Sequence, residues 1–186
     1  MPPLIQNFDE AILLWIQDVI RNPVLTPIMQ FFTSLLDRGL LAFLICIGLL
    51  LFRRTRKLGL TCSLSLIICS VLVHLILKPM FARPRPYHVL STLITLAPRP
   101  GDFSFPSGHT NTIFAVTSVL FFACPRKIGI PALIVSTLVG LSRLYLGIHF
   151  PTDVLAGALL GLIVGYFCCK ATHILSSHTK RKDRKN

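Results

Sequence analysis

Uncharged apolar runs dominate the chain. Leu58 to Leu77 carries no Asp, Glu, Lys or Arg over 20 residues, and Leu40 to Phe52 none over 13. Thr110 to Cys124, Ile128 to Ser142 and Val154 to Cys169 are three further blocks of the same kind. The apolar residues fill these blocks and do not alternate with polar ones, as they would on an amphipathic helix or a half-buried strand. A helix rises about 1.5 Å per residue against a hydrocarbon core of about 30 Å, so each block needs a turn from its flanks to cross a bilayer. Leu40 to Phe52 is the shortest and is expected to begin near Ser34, taking in Asp37 and Arg38. Ahead of it, residues 8 to 20 mix Asp9, Glu10, Gln17 and Asp18 with Ile12, Leu13, Leu14, Trp15, Ile16, Val19 and Ile20. That pattern predicts an amphipathic interfacial helix anchored by Trp15 and broken at Asn22-Pro23. Residues 24 to 36 predict a second short apolar helix. The expected fold is an all-α polytopic transmembrane bundle with five spans, or six if residues 8 to 20 also cross. It forms one domain over 1–186, with a core of 24–170 and a basic cytoplasmic tail at 171–186.

Composition agrees with the pattern. The 186 residues are 53% hydrophobic and 14% charged, with a mean hydropathy of +0.70, where a soluble domain carries about 25% charged residues. A net charge of +12 raises nucleic acid as a partner, but the placement of the charge argues against it. Arg53, Arg54, Arg56 and Lys57, then Arg126 and Lys127, then the run from Lys180 to Lys185 lie at the ends of apolar blocks. That is the positive-inside pattern, so these clusters and the C-terminus are assigned to the cytoplasm. The spans then alternate without conflict, and the 79–105 loop and the 147–151 turn fall on the far side. Lys78, Arg83, Arg85, Arg99 and Arg143 nevertheless sit there, and an anionic ligand would account for them. The six cysteines lie in or beside apolar blocks, without metal-ligand spacing. No basic region precedes the first apolar stretch, so no cleaved signal peptide is expected.

Three segments on that far side carry chemistry. Lys78, Arg83 and Arg85 leave the longest block among Pro79, Pro84 and Pro86. Arg forks and a Lys point charge suit phosphate oxygens; a plain juxtamembrane basic patch is the alternative. Pro106-Ser107-Gly108-His109 opens an apolar helix, with Ser107 as N-cap. A helix start has unpaired N–H groups and favours an anion, and His109 stands in its first turn to donate a proton. A capped helix start with an unrelated interfacial His fits that segment equally when it is read alone. In Ser142-Arg143 to His149 to Asp153, Pro151 suits a first helical turn. Asp153 can then reach back to one nitrogen of His149 and leave the other free to attack. A turn with a capping Asp is the alternative there.

Taken in order, the segments resemble the type 2 phosphatidic acid phosphatase superfamily, whose signature reads K-x6-R-P, P-S-G-H and S-R-x5-H-x3-D. Lys78 with Arg85-Pro86, Pro106 to His109, and Ser142-Arg143 with His149 and Asp153 match every position, and the resemblance covers roughly residues 24 to 170. It implies a phosphohistidine on His149, with Asp153 orienting it and His109 as general acid. It implies Lys78, Arg85, Ser107, Gly108 and Arg143 as phosphate ligands, and neither metal nor cofactor. Arg83 and Arg99 lie outside the signature and are candidate headgroup contacts. The expected substrate is a lipid phosphate or diphosphate on the extracytoplasmic face of a bacterial plasma membrane. Undecaprenyl diphosphate is preferred, with phosphatidylglycerophosphate or phosphatidic acid as alternatives. Vanadate-dependent haloperoxidases share the signature but are soluble and much longer. A non-catalytic lipid-phosphate binder or transport component would be expected to lack His109, His149 or Asp153.

Overall fold

A computed structural model of the chain describes residues 2–36 and 39–174. The described residues form helices joined by turns, with no strand among them. Helix α1 (Pro3–Trp15) starts earlier than the expected residue 8 and continues through a π-helical turn at Ile16–Ile20. It ends at Arg21, beside the expected Asn22-Pro23 break. Helix α2 is Leu25–Ser34. Helix α3 (Leu40–Leu51) does not extend back to Ser34, because Gly39 takes a left-handed φ of 74° at its start. Asp37, Arg38 and the basic run from Lys180 lie outside the described residues.

Helix α4 (Arg56–Val71) passes through a π turn at Leu72–Leu77 into the short α5 (Lys78–Phe81), and α6 (Pro86–Val89) follows. The last three helices are α7 (Gly108–Ala123), α8 (Arg126–Tyr145) and α9 (Pro151–Ala171). Three segments are long and apolar enough to cross a membrane: Arg56–Val89, Arg126–Tyr145 and Pro151–Ala171. Helix α3 is apolar but only 12 residues long, and α7 has 16.

Helix α7 is the axis of the bundle. Its Ile113, Val116 and Val119 pack with Val139 of α8, Cys62 of α4, and Ala42 and Cys46 of α3. Helix α9 lies closest to it because Gly157, Gly161 and Gly165 repeat every fourth residue along one face. A Cβ on Gly157 would stand 2.7 Å from the Ser107 carbonyl, and one on Gly161 2.6 Å from Phe114 Cβ. Such small-residue faces let helix backbones approach where lipid offers no hydrophobic drive for association. Hydroxyls stitch the same interfaces: Ser118 Oγ donates to the Gly161 carbonyl (3.0 Å) and Ser65 Oγ to that of Ala115 (2.7 Å).

The outer surface is apolar. Leu60, Leu64, Ile67, Val71 and Leu75 on one side, and Leu155, Leu159, Ile163 and Phe167 on another, are all exposed. Continuous apolar exposure at helical spacing, around a core holding Ser and Thr, is the polarity of a protein surrounded by lipid.

Candidate active site

The chemistry-bearing residues gather at one end of the bundle. Lys78 follows the π turn of the long fourth helix, and such turns occur often at functional sites. Beyond α5, Ala82 adopts a left-handed φ of 41°. This costs a residue with a Cβ about 1–2 kcal/mol and persists only where surrounding contacts enforce it. It turns the chain so that Arg83 and Arg85 both point inward, each about 4% exposed or less.

At the other wall, Gly147 takes a left-handed φ of 74° between α8 and α9. A Cβ there would also meet Arg21 at 2.8 Å. Arg21 holds this turn by donating to the carbonyls of Tyr145 (2.8 Å) and Ile94 (2.6 Å). His149 follows two residues later and is buried.

Lys78, Arg85, Gly108, His109, Arg143 and His149 line one cavity of about 480 Å³, together with His74 and Asp102. Leu36, Phe43 and Leu66 form its apolar flank. Arg85 approaches His149 Nε2 at 3.2 Å and donates to the Ile148 carbonyl at 2.9 Å. Arg143, at the end of α8, also donates to Thr33 Oγ1 of α2. Asp153 stands behind His149 in the first turn of α9. Its Oδ2 accepts from the Phe150 N–H (2.9 Å), half of a capping box. The same oxygen lies 3.5 Å from His149 Nδ1. Ser104 bridges this long contact: its hydroxyl donates to Asp153 Oδ2 at 2.5 Å and lies 3.4 Å from Nδ1. With Nδ1 facing acceptors and Nε2 facing an Arg donor, the arrangement suits the Nδ1–H tautomer. Burial first, then Arg85 and Arg143, depress the His149 pKa to about 4 against the pull of Asp153, so the ring is neutral near pH 7.

Three expected ligands are placed differently. Ser107 is fully buried at the start of α7, where its oxygen accepts from Thr110 Oγ1 (3.0 Å) and its N–H donates to the Asp153 carbonyl (3.0 Å). It caps α7 and ties it to α9, and it is not on the cavity wall. Arg83, the candidate headgroup contact, has its guanidinium between Asp153 (2.6 Å) and Asp9 (2.7 Å), and it does not line the cavity. Two buried carboxylates hold it more firmly than a site open to water would. Arg99 stays on the exposed loop, 5.3 Å above the Tyr87 ring, with Nε donating to Thr95 Oγ1.

Sequence reasoning missed Asp102, Ser104 and Asp9. Asp102 accepts from both Lys78 and Arg85, the latter at 2.5 Å. Burial raises its pKa, but those two hydrogen bonds outweigh burial and hold the carboxyl well below its ordinary range. Ser104 and Asp102 sit just upstream of Pro106-Ser107-Gly108-His109, which was the available signal. Asp9 had none, since it reads as part of the polar face of an amphipathic helix.

A neutral histidine backed by a carboxylate and facing a cation-lined cavity, in a lipid-facing helical bundle, defines an integral-membrane enzyme of phosphoryl transfer. Residues 59–176 match the family model described as PAP2 superfamily, and the chain belongs to that family. It is a phosphatase. It is 38% identical over 118 residues to the undecaprenyl-diphosphatase of Sulfolobus acidocaldarius, an alignment that takes in 63% of this chain and 57% of that protein's length. It is 35% identical over 155 residues to undecaprenyl-diphosphatase BcrC of Bacillus subtilis, across 83% of this chain and 79% of that one. Among solved structures, it superposes on the transmembrane PAP2-type phosphatidylglycerolphosphate phosphatase of Bacillus subtilis with a TM-score of 0.77 and 31% identity. That superposition covers 92% of this chain and 87% of the other.

Proposed function

We propose that this chain hydrolyses a lipid diphosphate, undecaprenyl diphosphate in the first place, at the extracytoplasmic face of the membrane through a phosphohistidine on His149. The observation that carries the reading is the position of His149 Nε2, which faces the cavity shared by Lys78, Arg85 and Arg143 while Nδ1 faces Asp153. Nε2 attacks phosphorus as the bond to the leaving oxygen breaks, and His109 supplies that oxygen with a proton. Water then attacks the phosphohistidine, His109 takes its proton, the P–N bond breaks and phosphate leaves. Lys78, Arg85 and Arg143 neutralise the phosphoryl oxygens, the main source of stabilisation in such transfers. We assign the reaction to these cations without a metal, as the family resemblance implies. The apolar flank at Leu36, Phe43 and Leu66 suits the first carbons of a lipid chain. Helices α3 and α7 complete five spans by borrowing flanking turns.

The two undecaprenyl-diphosphatase relatives support the choice of substrate. Phosphatidylglycerophosphate is the second reading, favoured by the structural neighbour. The test is phosphate release by purified protein, in excess chelator, from undecaprenyl diphosphate, phosphatidylglycerophosphate and phosphatidic acid. The expected order places the diphosphate first. His149→Ala should lower release on the order of 10³-fold or more while the protein stays folded in detergent. Turnover retained by that variant sinks the nucleophile, and activity that needs added divalent ion sinks the metal-free site.

A further inference from the structure

Helix α1 contributes to the site a residue that lies outside the family match at 59–176. Most of α1 is exposed apolar surface, with Leu4 and Phe8 facing outward. Asp9 is the opposite, completely buried beside an equally buried Leu13. Its Oδ2 accepts from Arg83 at 2.7 Å, and its Oδ1 accepts from the Thr152 N–H at 3.0 Å. The Thr152 hydroxyl also donates to Asp9. Arg83 then reaches Asp153 Oδ1 at 2.6 Å and stands over the Phe150 ring, 4.0 Å from its centroid. Asp9, Arg83, Asp153 and His149 thus form one buried line of alternating charge that ends on the reacting nitrogen's ring.

The charge count shows what Asp9 adds. Arg83 and Asp153 alone would be a neutral pair, which offers little to a histidine that becomes positive when it takes up phosphorus. Asp9 restores one net negative charge to the trio, in a dry environment where a charge acts strongly. Arg83 also occupies Oδ1 of Asp153, leaving Oδ2 for Ser104, the Phe150 N–H and His149. We propose that Asp9 is a positioning residue for the reaction, acting through Arg83 to keep Asp153 oriented and net negative toward His149. This rests on His149 being the nucleophile. A carboxylate that served only to dock α1 would not need to be coupled to the catalytic Asp.

Net charge separates the two roles. The trio carries −1 in the wild type, 0 in Asp9→Asn, −2 in Arg83→Gln and −1 again in the double variant. The other charged or titratable groups around His149 are Arg85, Arg143, His109, Lys78, Asp102 and His74, and they are the same in all four proteins. His149 must be neutral to attack, and its pKa is depressed to about 4. Protonation of His149 therefore sets an acid limb near that value, below the 6.5 of a free histidine: the nucleophile is present above it and lost as pH falls through it. A more negative trio stabilises the imidazolium and moves this acid limb upward; a less negative one moves it downward.

The experiment measures kcat, KM and the pH profile of kcat/KM for the full-length wild type, D9N, R83Q, D9N/R83Q and H149A. Farnesyl diphosphate in detergent micelles is the substrate, and the thermal midpoint of each protein is recorded. D9N should lower kcat about tenfold or more with little change in KM. R83Q should raise the acid limb by about one pH unit or more. The double variant should regain kcat relative to D9N and return the limb toward the wild type. A double variant no better than D9N, or acid limbs that coincide, overturns the proposal and leaves Asp9 as a docking contact. If D9N does not fold, D9N/R83Q against R83Q decides: a lower limb in the double variant supports the proposal and coinciding limbs overturn it. Wild-type turnover in H149A would instead overturn the nucleophile itself, a distinct failure.

Discussion

At His149 the two ring nitrogens meet different surroundings, and the same contrast recurs at each cation of the cavity. Lys78 and Arg85 face a space suited to phosphate, and both donate to Asp102. The Asp102 side chain is 47% exposed and stays ionised across the neutral range because those two donors hold its proton off. A phosphoryl group entering the cavity must share or displace this carboxylate. Asp102→Asn should therefore tighten inhibition by inorganic phosphate several-fold, read as a lower Ki at constant pH. An unchanged or raised Ki would mean that Asp102 orients the cations and does not compete for them. The candidate-site residues legible in the sequence were those whose meaning lies in short spacing: His149 with Asp153, Gly108 with His109, and Lys78 with Arg85. Asp9, Ser104 and the true partners of Arg83 were not legible, because Asp9 meets Arg83 across 74 positions and Ser104 meets Asp153 across 49. No local pattern encodes such contacts.

The helices themselves were visible as uncharged runs, and their ends were where the reading slipped. Helix α1 begins at Pro3 because a proline at the first helical position sacrifices no hydrogen bond, a signal ahead of the polar–apolar pattern that begins at residue 8. The glycine face of α9 was present in the sequence but has meaning only once α7 is known to lie against it. There the tolerance is small: a Cβ at Gly161 would meet backbone atoms of Ala115 and Phe114 at 2.9 Å as well as Phe114 Cβ. Backbone cannot swing aside as a flexible side chain can, so Gly161→Val must part the two helices. Overpacking of this kind costs about 1–3 kcal/mol. It also strains the bond from the Ser107 N–H to the Asp153 carbonyl, which joins the catalytic ends of α7 and α9. We expect a lower thermal midpoint in detergent and reduced turnover. Leu159→Ala, on the outward face of the same helix, should leave both nearly unchanged. Equal effects of the two substitutions would show that close contact between α7 and α9 is not what holds the site.

For the molecule as a whole, the distribution of charge decides which way the site faces. The α3–α4 turn, the α7–α8 turn and the end of α9 lie at the end of the bundle away from the cavity, where Thr61 Oγ1 donates to Thr172 Oγ1 at 3.0 Å. Arg53, Arg54, Arg56, Lys57, Arg126, Lys127 and Lys170 sit at that same end. Lys and Arg in short loops next to spans are retained on the cytoplasmic side. Of the cations at the opposite end, Arg99 is an exposed loop charge and Arg21 is half-buried, while Lys78, Arg83, Arg85 and Arg143 are buried within the protein and are not presented as loop charge. The expected orientation therefore puts α9's end in the cytoplasm and the cavity outside. A green fluorescent protein fused after Asn186 should fluoresce in bacterial cells, because that reporter matures in the cytoplasm and stays dark when exported unfolded. Replacing Arg53, Arg54, Arg56 and Lys57 with Gln should weaken the signal by removing part of the bias. A dark fusion to the unaltered chain would place the cavity on the cytoplasmic side, and the cavity would then meet lipid phosphates made within the cell and not carriers released outside it.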